Sequence, residues 1–122
     1  MRILVVDDDF SVLKSARAVL RGHETHVASD VETAVSSAER HQPDVVLLDV
    51  LLAQESGLDA IAPIREVSPH SAVIVMTGLA SVDAMTQAYS SGADAFVPKH
   101  ALPSLPAVLD DLMAERRHQS EP

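Results

Sequence analysis

The sequence predicts an α/β fold: a doubly wound, five-stranded parallel sheet with five helices on both faces. Five short apolar runs alternate along the chain with five segments whose apolar residues recur at helical spacing. Strands that alternate with helices pair in parallel through right-handed crossovers, and the helices then cover both faces of the sheet. Pro98 follows the fifth run, and a proline is tolerated best in an edge strand. That position agrees with the strand order 2-1-3-4-5.

The five predicted strands are short and consist mainly of valine, leucine, isoleucine and alanine. They are residues 3–6, 25–28, 45–48, 72–76 and 95–97. The third run is the most strongly apolar, since Val45 to Leu48 are four apolar residues in a row that lead directly to Asp49. This pattern is typical of a strand buried on both faces.

The five predicted helices carry their apolar positions within residues 12–20, 31–38, 58–67, 82–88 and 105–113. Asp9 or Ser11, then Asp30 and Ser81, are placed to cap the first, second and fourth helices. A third helix that begins near Gly57 would contain Pro63 past its first turn, where a kink is expected. The domain is predicted to span residues 1–117, followed by a disordered polar tail at 118–122.

Composition limits the classes of function. A chain of 122 residues with 47% hydrophobic residues is the size of one domain. Its net charge of -9 argues against direct binding of nucleic acid or of an anionic membrane surface, so proteins and cations are the expected partners. The sequence has no cysteine, no signal-peptide pattern and no run of about 20 apolar residues. A soluble cytoplasmic protein is therefore expected.

Polar residues follow several of the predicted strands and are expected to share one edge of the sheet. They are Asp7, Asp8 and Asp9 after the first strand, Asp49 after the third, Thr77 after the fourth and Lys99 after the fifth. Carboxylates this close repel, which raises the pKa of at least one of them unless a cation is present. Oxygen ligands favour a hard cation such as Mg²⁺. A carboxylate held beside such a metal, with an ammonium and a hydroxyl nearby, is suited to attack phosphorus and form an acyl phosphate.

Four separated motifs resemble those of the receiver domain of two-component response regulators, a flavodoxin-like fold, over essentially the whole chain. They are VVDD at residues 5–8, LLD with a glycine eight residues later (Asp49 and Gly57), MTG at residues 76–78 and FVPK at residues 96–99. Each motif is weak alone, and their order and spacing together are specific.

The resemblance implies that Asp49 accepts a phosphoryl group from a phosphohistidine of a histidine kinase or phosphotransfer protein. It implies that Mg²⁺ is bound by Asp8, by Asp49 and by the backbone carbonyl of Leu51, with Asp7 contributing through water. The chain would be a phosphoacceptor that assists its own phosphorylation and dephosphorylation, rather than an enzyme.

The resemblance also implies that Thr77 and Lys99 contact the phosphoryl oxygens. Thr77 would move toward the new group, and Phe96 would turn inward to fill the space it leaves. The surface of helix four, strand five and helix five would change in response. The expected partners are a downstream protein or an output domain beyond this chain, and a weak homodimer is a further candidate.

Several positions depart from the family's pattern. Ala53 stands where a proline is common, and His100 stands where many relatives have a proline after a cis bond. A cis bond before a non-proline residue costs roughly 2.5–4 kcal/mol, so the bond from Lys99 to His100 is predicted to be trans. Leu51 and Leu79 flank the acceptor with apolar side chains, which cannot orient an attacking water. Slow hydrolysis of a phosphoryl group on Asp49 is the resulting hypothesis.

Two other functions are open at the level of sequence. Asp7, Asp9 and Ser11 come close to the first motif of the haloacid dehalogenase superfamily of phosphatases, in which Thr77 and Lys99 could serve as later motifs. That interpretation leaves Asp49 without a role and lacks the late acidic pair. The second alternative is a degenerate receiver that acts by protein binding alone.

Overall fold

The structure is a computed structural model, which describes residues 1–52, 54–78 and 81–120. The five strands of the main sheet are β1 Arg2–Val6, β2 Glu24–Ala28, β3 Val45–Asp49, β4 Ala72–Thr77 and β5 Ala95–Pro98. The α-helices are α1 Phe10–Val19, α2 Val31–His41, α3 Ile61–Val67, α4 Val82–Ser90 and α5 Leu105–Ser120.

The main sheet is parallel throughout, and its strand order is β2-β1-β3-β4-β5. The predicted fold class and strand order are therefore confirmed, and Pro98 lies in an edge strand. The register aligns the ends of the strands, since Val6 pairs with Leu48 and Asp49 pairs with Met76. We call the side where the strands end the carboxyl edge and the side where they begin the amino edge.

Alternating strand residues build two apolar layers. On one face Leu4, Val6 and their neighbours pack with buried residues of α2, α3 and α4. On the other face Ile3 and Val5 pack with α1 and α5. All five residues of β3 are buried, which matches its unbroken apolar sequence. The central strand is thus shielded from water along its length, and it delivers Asp49 to the carboxyl edge.

The third helix differs from the prediction. Residues Gly57–Ala60 form a 3₁₀-helix, which the Ser56 hydroxyl caps by accepting a hydrogen bond from the Leu58 N–H, and the α-helix begins only at Ile61. Pro63 therefore lies in the first turn of α3, where the missing N–H needs no intrahelical partner. The expectation of a proline past the first turn was wrong because the segment divides into two helices.

Two further boundaries also differ. A 3₁₀-helix at Lys99–Ser104 precedes α5, and the bond from Lys99 to His100 is trans, as predicted. Helix α5 continues to Ser120, past residue 117, where the predicted domain ends. The end of the chain, residues 121–122, lies outside the described residues, as do the predictions made for Ala53 and Leu79. No helix in the described part of the chain combines the length and apolarity needed to cross a bilayer.

The apolar positions of α4 are only partly covered. Ala88 is fully buried, but Val82 is 73% exposed and Met85 is 40% exposed. The helical spacing of these residues is correct, yet only the second half of the helix packs against the sheet.

Polar groups at the amino edge are paired with one another. Asp94 Oδ2 accepts hydrogen bonds from the Val73 N–H at 2.8 Å and from the Arg65 guanidinium at 2.9 Å. Arg116 of α5 lies 3.9 Å from the same oxygen and donates to the His70 carbonyl at 2.8 Å. These contacts join α3, β4, β5 and α5 where the strands begin.

Candidate functional site

The acidic residues predicted from the sequence meet at the carboxyl edge. Asp7 follows β1 and Asp49 ends β3, and these strands are neighbours in the sheet. Asp7 is completely buried and Asp49 is 2% exposed, whereas Asp8 lies at the surface. Each of the three offers a carboxylate oxygen, and these oxygens lie within 4.8 Å of one another. The site therefore concentrates negative charge at a place that is largely removed from water.

Lys99 supplies the positive charge within this cluster. Its ammonium nitrogen lies 3.0 Å from Asp7 Oδ2 and 3.0 Å from Asp49 Oδ2. Lys99 reaches them because it directly follows β5, two strands away from Asp49 in the sheet. Burial lowers the pKa of the ammonium, but the hydrogen bonds to Asp7 and Asp49 outweigh that effect and raise the pKa above its usual value. Lys99 is therefore a permanent cation at this site.

Backbone N–H groups hold the other oxygens of both buried acids. Asp7 Oδ1 accepts from the Asp9 N–H at 2.9 Å, and Asp49 Oδ1 accepts from the Leu51 N–H at 3.2 Å. The pKa of Asp49 is raised, mainly by burial and further by the charge of Asp7, while its hydrogen bond with Lys99 acts in the opposite direction. One ammonium thus does not compensate for the acids that surround it.

The donor set fits a hard divalent cation. Asp7 Oδ2 is buried, and the Lys99 ammonium contacts it at 3.0 Å. The three carboxylates offer oxygen ligands, which Mg²⁺ and Ca²⁺ prefer over nitrogen and sulfur ligands. Within the described residues, this is the one group of three or more side chains that could hold a metal ion.

A short hairpin follows Asp49 and shapes the loop beside it. Leu51–Leu52 and Glu55–Ser56 pair antiparallel, and the Gly57 N–H donates to the Val50 carbonyl at 2.7 Å. A Cβ atom on Gly57 would lie 1.7 Å from the backbone carbonyl oxygen of Asp49. Only glycine lets the chain pass this close to the acid.

The remaining predicted residues lie in different surroundings. Thr77 ends β4 and is 2% exposed, opposite Pro98 in the register of the sheet. Phe96 is half-buried and packs against the apolar layer under α2, α3 and α4. Asp9 does not join the acidic cluster, because its carboxylate caps α1 by accepting from the Ser11 N–H at 2.9 Å.

Sequence reasoning missed two features of the site. One is the hairpin after Asp49, since two-residue strands have no hydrophobic period to detect. The other is Glu55, whose carboxylate accepts a hydrogen bond from the Val31 N–H at the start of α2, 2.7 Å away. The local sequence around Glu55 carries no signal for a contact with a residue 24 positions earlier.

The fold and the site together define a doubly wound α/β domain with a cluster of three acids at the carboxyl edge of its sheet. Residues 3–109 match the family model of the response regulator receiver domain. The chain belongs to the response regulator receiver domain family. It is therefore a receiver domain of two-component signalling.

Relatives from curated proteins are similar over nearly the whole chain. The response regulator MprA of Mycobacterium leprae is 33% identical over 119 residues, which cover 96% of this chain and 50% of that protein. MprA of Mycobacterium bovis is 32% identical, with coverage of 96% and 49%. The chain thus spans about half the length of the curated relatives it matches.

Solved structures agree with the fold. A response regulator from Burkholderia pseudomallei, determined with a phosphorylated aspartic acid, a calcium ion and citrate, superposes with a TM-score of 0.82 at 28% identity. That match covers 98% of this chain and 75% of the other. The BeF3-activated DrrB receiver domain gives a TM-score of 0.78 at 26% identity, covering 93% and 97%.

Proposed function

We propose that Asp49 is the phosphoryl acceptor and that the donor is a phosphohistidine of a histidine kinase or phosphotransfer protein. A carboxylate oxygen of Asp49 attacks phosphorus, the bond between phosphorus and the histidine nitrogen breaks, and that nitrogen keeps the electron pair. The product is an acyl phosphate on Asp49. The observation that carries the proposal is the Lys99 ammonium, 3.0 Å from Asp49 inside a cluster of three acids.

The position of Asp49 in the sheet supports this assignment over Asp7. Asp49 ends the central strand, so β1 places acids on one side of it while β4 and β5 place Thr77 and Lys99 on the other. An incoming phosphoryl group at Asp49 thus has metal ligands on one side and hydrogen-bond donors on the other. Thr77 and Lys99 are proposed to contact the phosphoryl oxygens.

The proposed metal is Mg²⁺, held by Asp8, Asp49 and the Leu51 carbonyl, with Asp7 contributing through water. Mg²⁺ binds through one or two carboxylates together with phosphate oxygens and neutralises charge that develops in phosphoryl transfer. The chain's own residues orient the acceptor, since the Leu51 N–H and the Lys99 ammonium each hold one oxygen of Asp49. The domain would in this way assist both its own phosphorylation and its own dephosphorylation.

The proposed switch consists of Thr77 and Phe96. A phosphoryl group adds about -1.5 to -2 charges and three acceptor oxygens, which would draw the Thr77 hydroxyl toward Asp49. The half-buried ring of Phe96 lies on the neighbouring strand and would turn inward. The surface of α4, β5 and α5 would then present a changed shape to a downstream protein or an output domain, or to a second copy in a weak homodimer.

Two exposed apolar side chains support docking of a partner at the same edge. Phe10, at the start of α1, is 79% exposed, and Leu51, two residues after Asp49, is 61% exposed. Such side chains beside a phosphoryl acceptor suit a partner that must bring its phosphohistidine within bonding distance. The negative charge of the chain supports a protein partner rather than nucleic acid.

The test is incubation of the domain with acetyl phosphate and Mg²⁺, followed by intact mass measurement and mapping of the modified residue. We expect one phosphoryl group, located on Asp49, and its loss when Mg²⁺ is removed with a chelator. A phosphoryl group on Asp7 would contradict the proposal and favour the dehalogenase-like phosphatase. Absence of any phosphorylation, with partner binding retained in Asp49→Asn, would favour the degenerate receiver.

A further inference from the structure

We propose that Glu55 is a positioning residue, which holds the metal-binding loop after Asp49 against the start of α2. The inference rests on the proposed function, because it concerns the loop whose Leu51 carbonyl would bind Mg²⁺. Glu55 touches neither the acidic cluster nor the acceptor in the described contacts. It acts through the hairpin to which it belongs.

The contact itself is short and favourably placed. Glu55 Oε1 lies 2.7 Å from the Val31 N–H, the first N–H of α2. An N–H in the first turn has no partner within the helix, and the helix dipole favours a carboxylate there. Asp30 accepts from the Thr33 N–H at 2.7 Å, so the carboxylates of Asp30 and Glu55 both cap the start of this helix.

The hairpin transmits this contact to the metal site. Leu52 pairs with Glu55 and Leu51 pairs with Ser56, so Glu55 lies across the hairpin from the residues that directly follow the acceptor. Leu52 is 6% exposed and anchors one strand of the hairpin in the apolar core. Glu55 anchors the opposite strand to α2. Both strands of the hairpin that carries the Leu51 carbonyl are thereby anchored.

The other anchors of the loop do not replace Glu55. Gly57 bonds back to the Val50 carbonyl, which fixes the end of the hairpin near β3. Glu55 lies in the second strand of the hairpin and ties that strand to α2. A contact outside the ligand set can in this way help to fix the orientation of a ligand.

The experiment compares three variants by calorimetric titration with Mg²⁺: Glu55→Ala, Glu55→Gln and Asp30→Ala. Each variant removes one negative charge from the same side of the site. Only Glu55→Gln keeps an oxygen that can accept from the Val31 N–H. Asp30→Ala removes a cap from the same helix without touching the loop, and it is the control for destabilisation of α2.

We expect Glu55→Ala to weaken Mg²⁺ binding about tenfold relative to Glu55→Gln, the lower end of the range for outer contacts of metal sites. Asp30→Ala should resemble Glu55→Gln. Hydrogen exchange of residues 51–57 without Mg²⁺ should be faster in Glu55→Ala than in Glu55→Gln. Equal Mg²⁺ affinities for the two Glu55 variants would overturn this inference but not the proposed function. Equal losses of Mg²⁺ affinity in Glu55→Ala and Asp30→Ala would do the same. Failure of the unmodified domain to bind Mg²⁺ would overturn the proposed function as well.

Discussion

The two edges of the sheet differ in how well their charged side chains are paired with groups of opposite charge. At the amino edge Asp94 meets Arg65, Arg116 and a backbone N–H, so its charge is matched. At the carboxyl edge three carboxylates face the single ammonium of Lys99. Matched charges stabilise the fold, whereas a surplus of one sign in a buried place must be balanced by a bound cation or by a proton. The imbalance, rather than the mere presence of acids, distinguishes the site from the scaffold.

The largest expected effect is the loss of phosphorylation in Asp49→Asn. The amide cannot act as a nucleophile toward phosphorus, so incorporation from acetyl phosphate should fall to background. Thermal stability should be retained or slightly raised, because a crowded carboxylate has been removed. Intact mass and a melting curve on the same sample measure both effects. Undiminished phosphorylation would show that the acceptor lies elsewhere.

Gly57→Ala should cause the largest loss of stability. Its Cβ would lie 1.7 Å from the Asp49 carbonyl oxygen, so β3 or the hairpin must move. We expect the free energy of unfolding to fall by about 3 kcal/mol or more. Denaturant unfolding measures this change. The control for local helix effects is Ala60→Gly, which removes a methyl group in the next turn instead of adding one. If Gly57→Ala were as stable as the parent, the close approach of Gly57 to Asp49 would not be rigid.

Addition of Mg²⁺ should stabilise the domain, because the ion balances the negative charge at the carboxyl edge. At a free concentration 100 times the dissociation constant, binding adds about 2.7 kcal/mol to the free energy of unfolding. Asp8→Asn should reduce this stabilisation at a fixed Mg²⁺ concentration. Asp59→Asn removes an equal charge from an exposed position outside the cluster and should not. A similar reduction in both variants would point to general charge screening instead of a bound ion.

At the amino edge, Asp94→Ala should lower stability and leave phosphorylation unchanged, which is the opposite of the result expected for Asp49→Asn. The substitution leaves the Val73 N–H and the Arg65 guanidinium without their shared acceptor. We expect a loss of about 1–3 kcal/mol in stability, with phosphorylation of the folded protein unchanged. Chemical denaturation and acetyl phosphate labelling test the two halves of this prediction. Slower labelling of the folded variant would mean that the two edges are coupled.

The smallest expected effect concerns the lifetime of the phosphoryl group. Leu51 is 61% exposed beside Asp49 and offers no group that could orient water. Leu51→Asn should shorten the lifetime by roughly tenfold, since positioning of water contributes less than the 10²–10⁴-fold of a full general base. Leu51→Ala removes the same bulk without adding a polar group, and its phosphoprotein should decay like the parent. Unchanged decay in Leu51→Asn would refute the hypothesis.

Much of the fold was predictable because its strands can be recognised from short apolar runs in the sequence. The apolar run from Val45 to Leu48 specifies β3, and the acid after it, with those after β1, gives the composition of the site. Strand order then brings Asp7, Asp49 and Lys99 together. These steps depend only on periodicity and topology.

The features that were not predictable depend on contacts between distant residues. The close approach of Gly57 to the Asp49 carbonyl and the hydrogen bond from Val31 to Glu55 both join residues that local sequence patterns do not connect. Val82 and Met85 show the same limit, because helical spacing identifies a face without showing how much of it is covered. Propensity describes what a segment can do alone, and tertiary packing decides the rest.

Helix α5 adds one consequence for how a signal would travel. Arg116 fastens the far end of this helix to His70 and Asp94, at the amino edge. The proposed acceptor, Asp49, therefore lies about one strand length, roughly 17 Å, from the place where α5 ends its packing on the sheet. In a longer protein, a segment joined after α5 would begin on the opposite side from the phosphorylated residue.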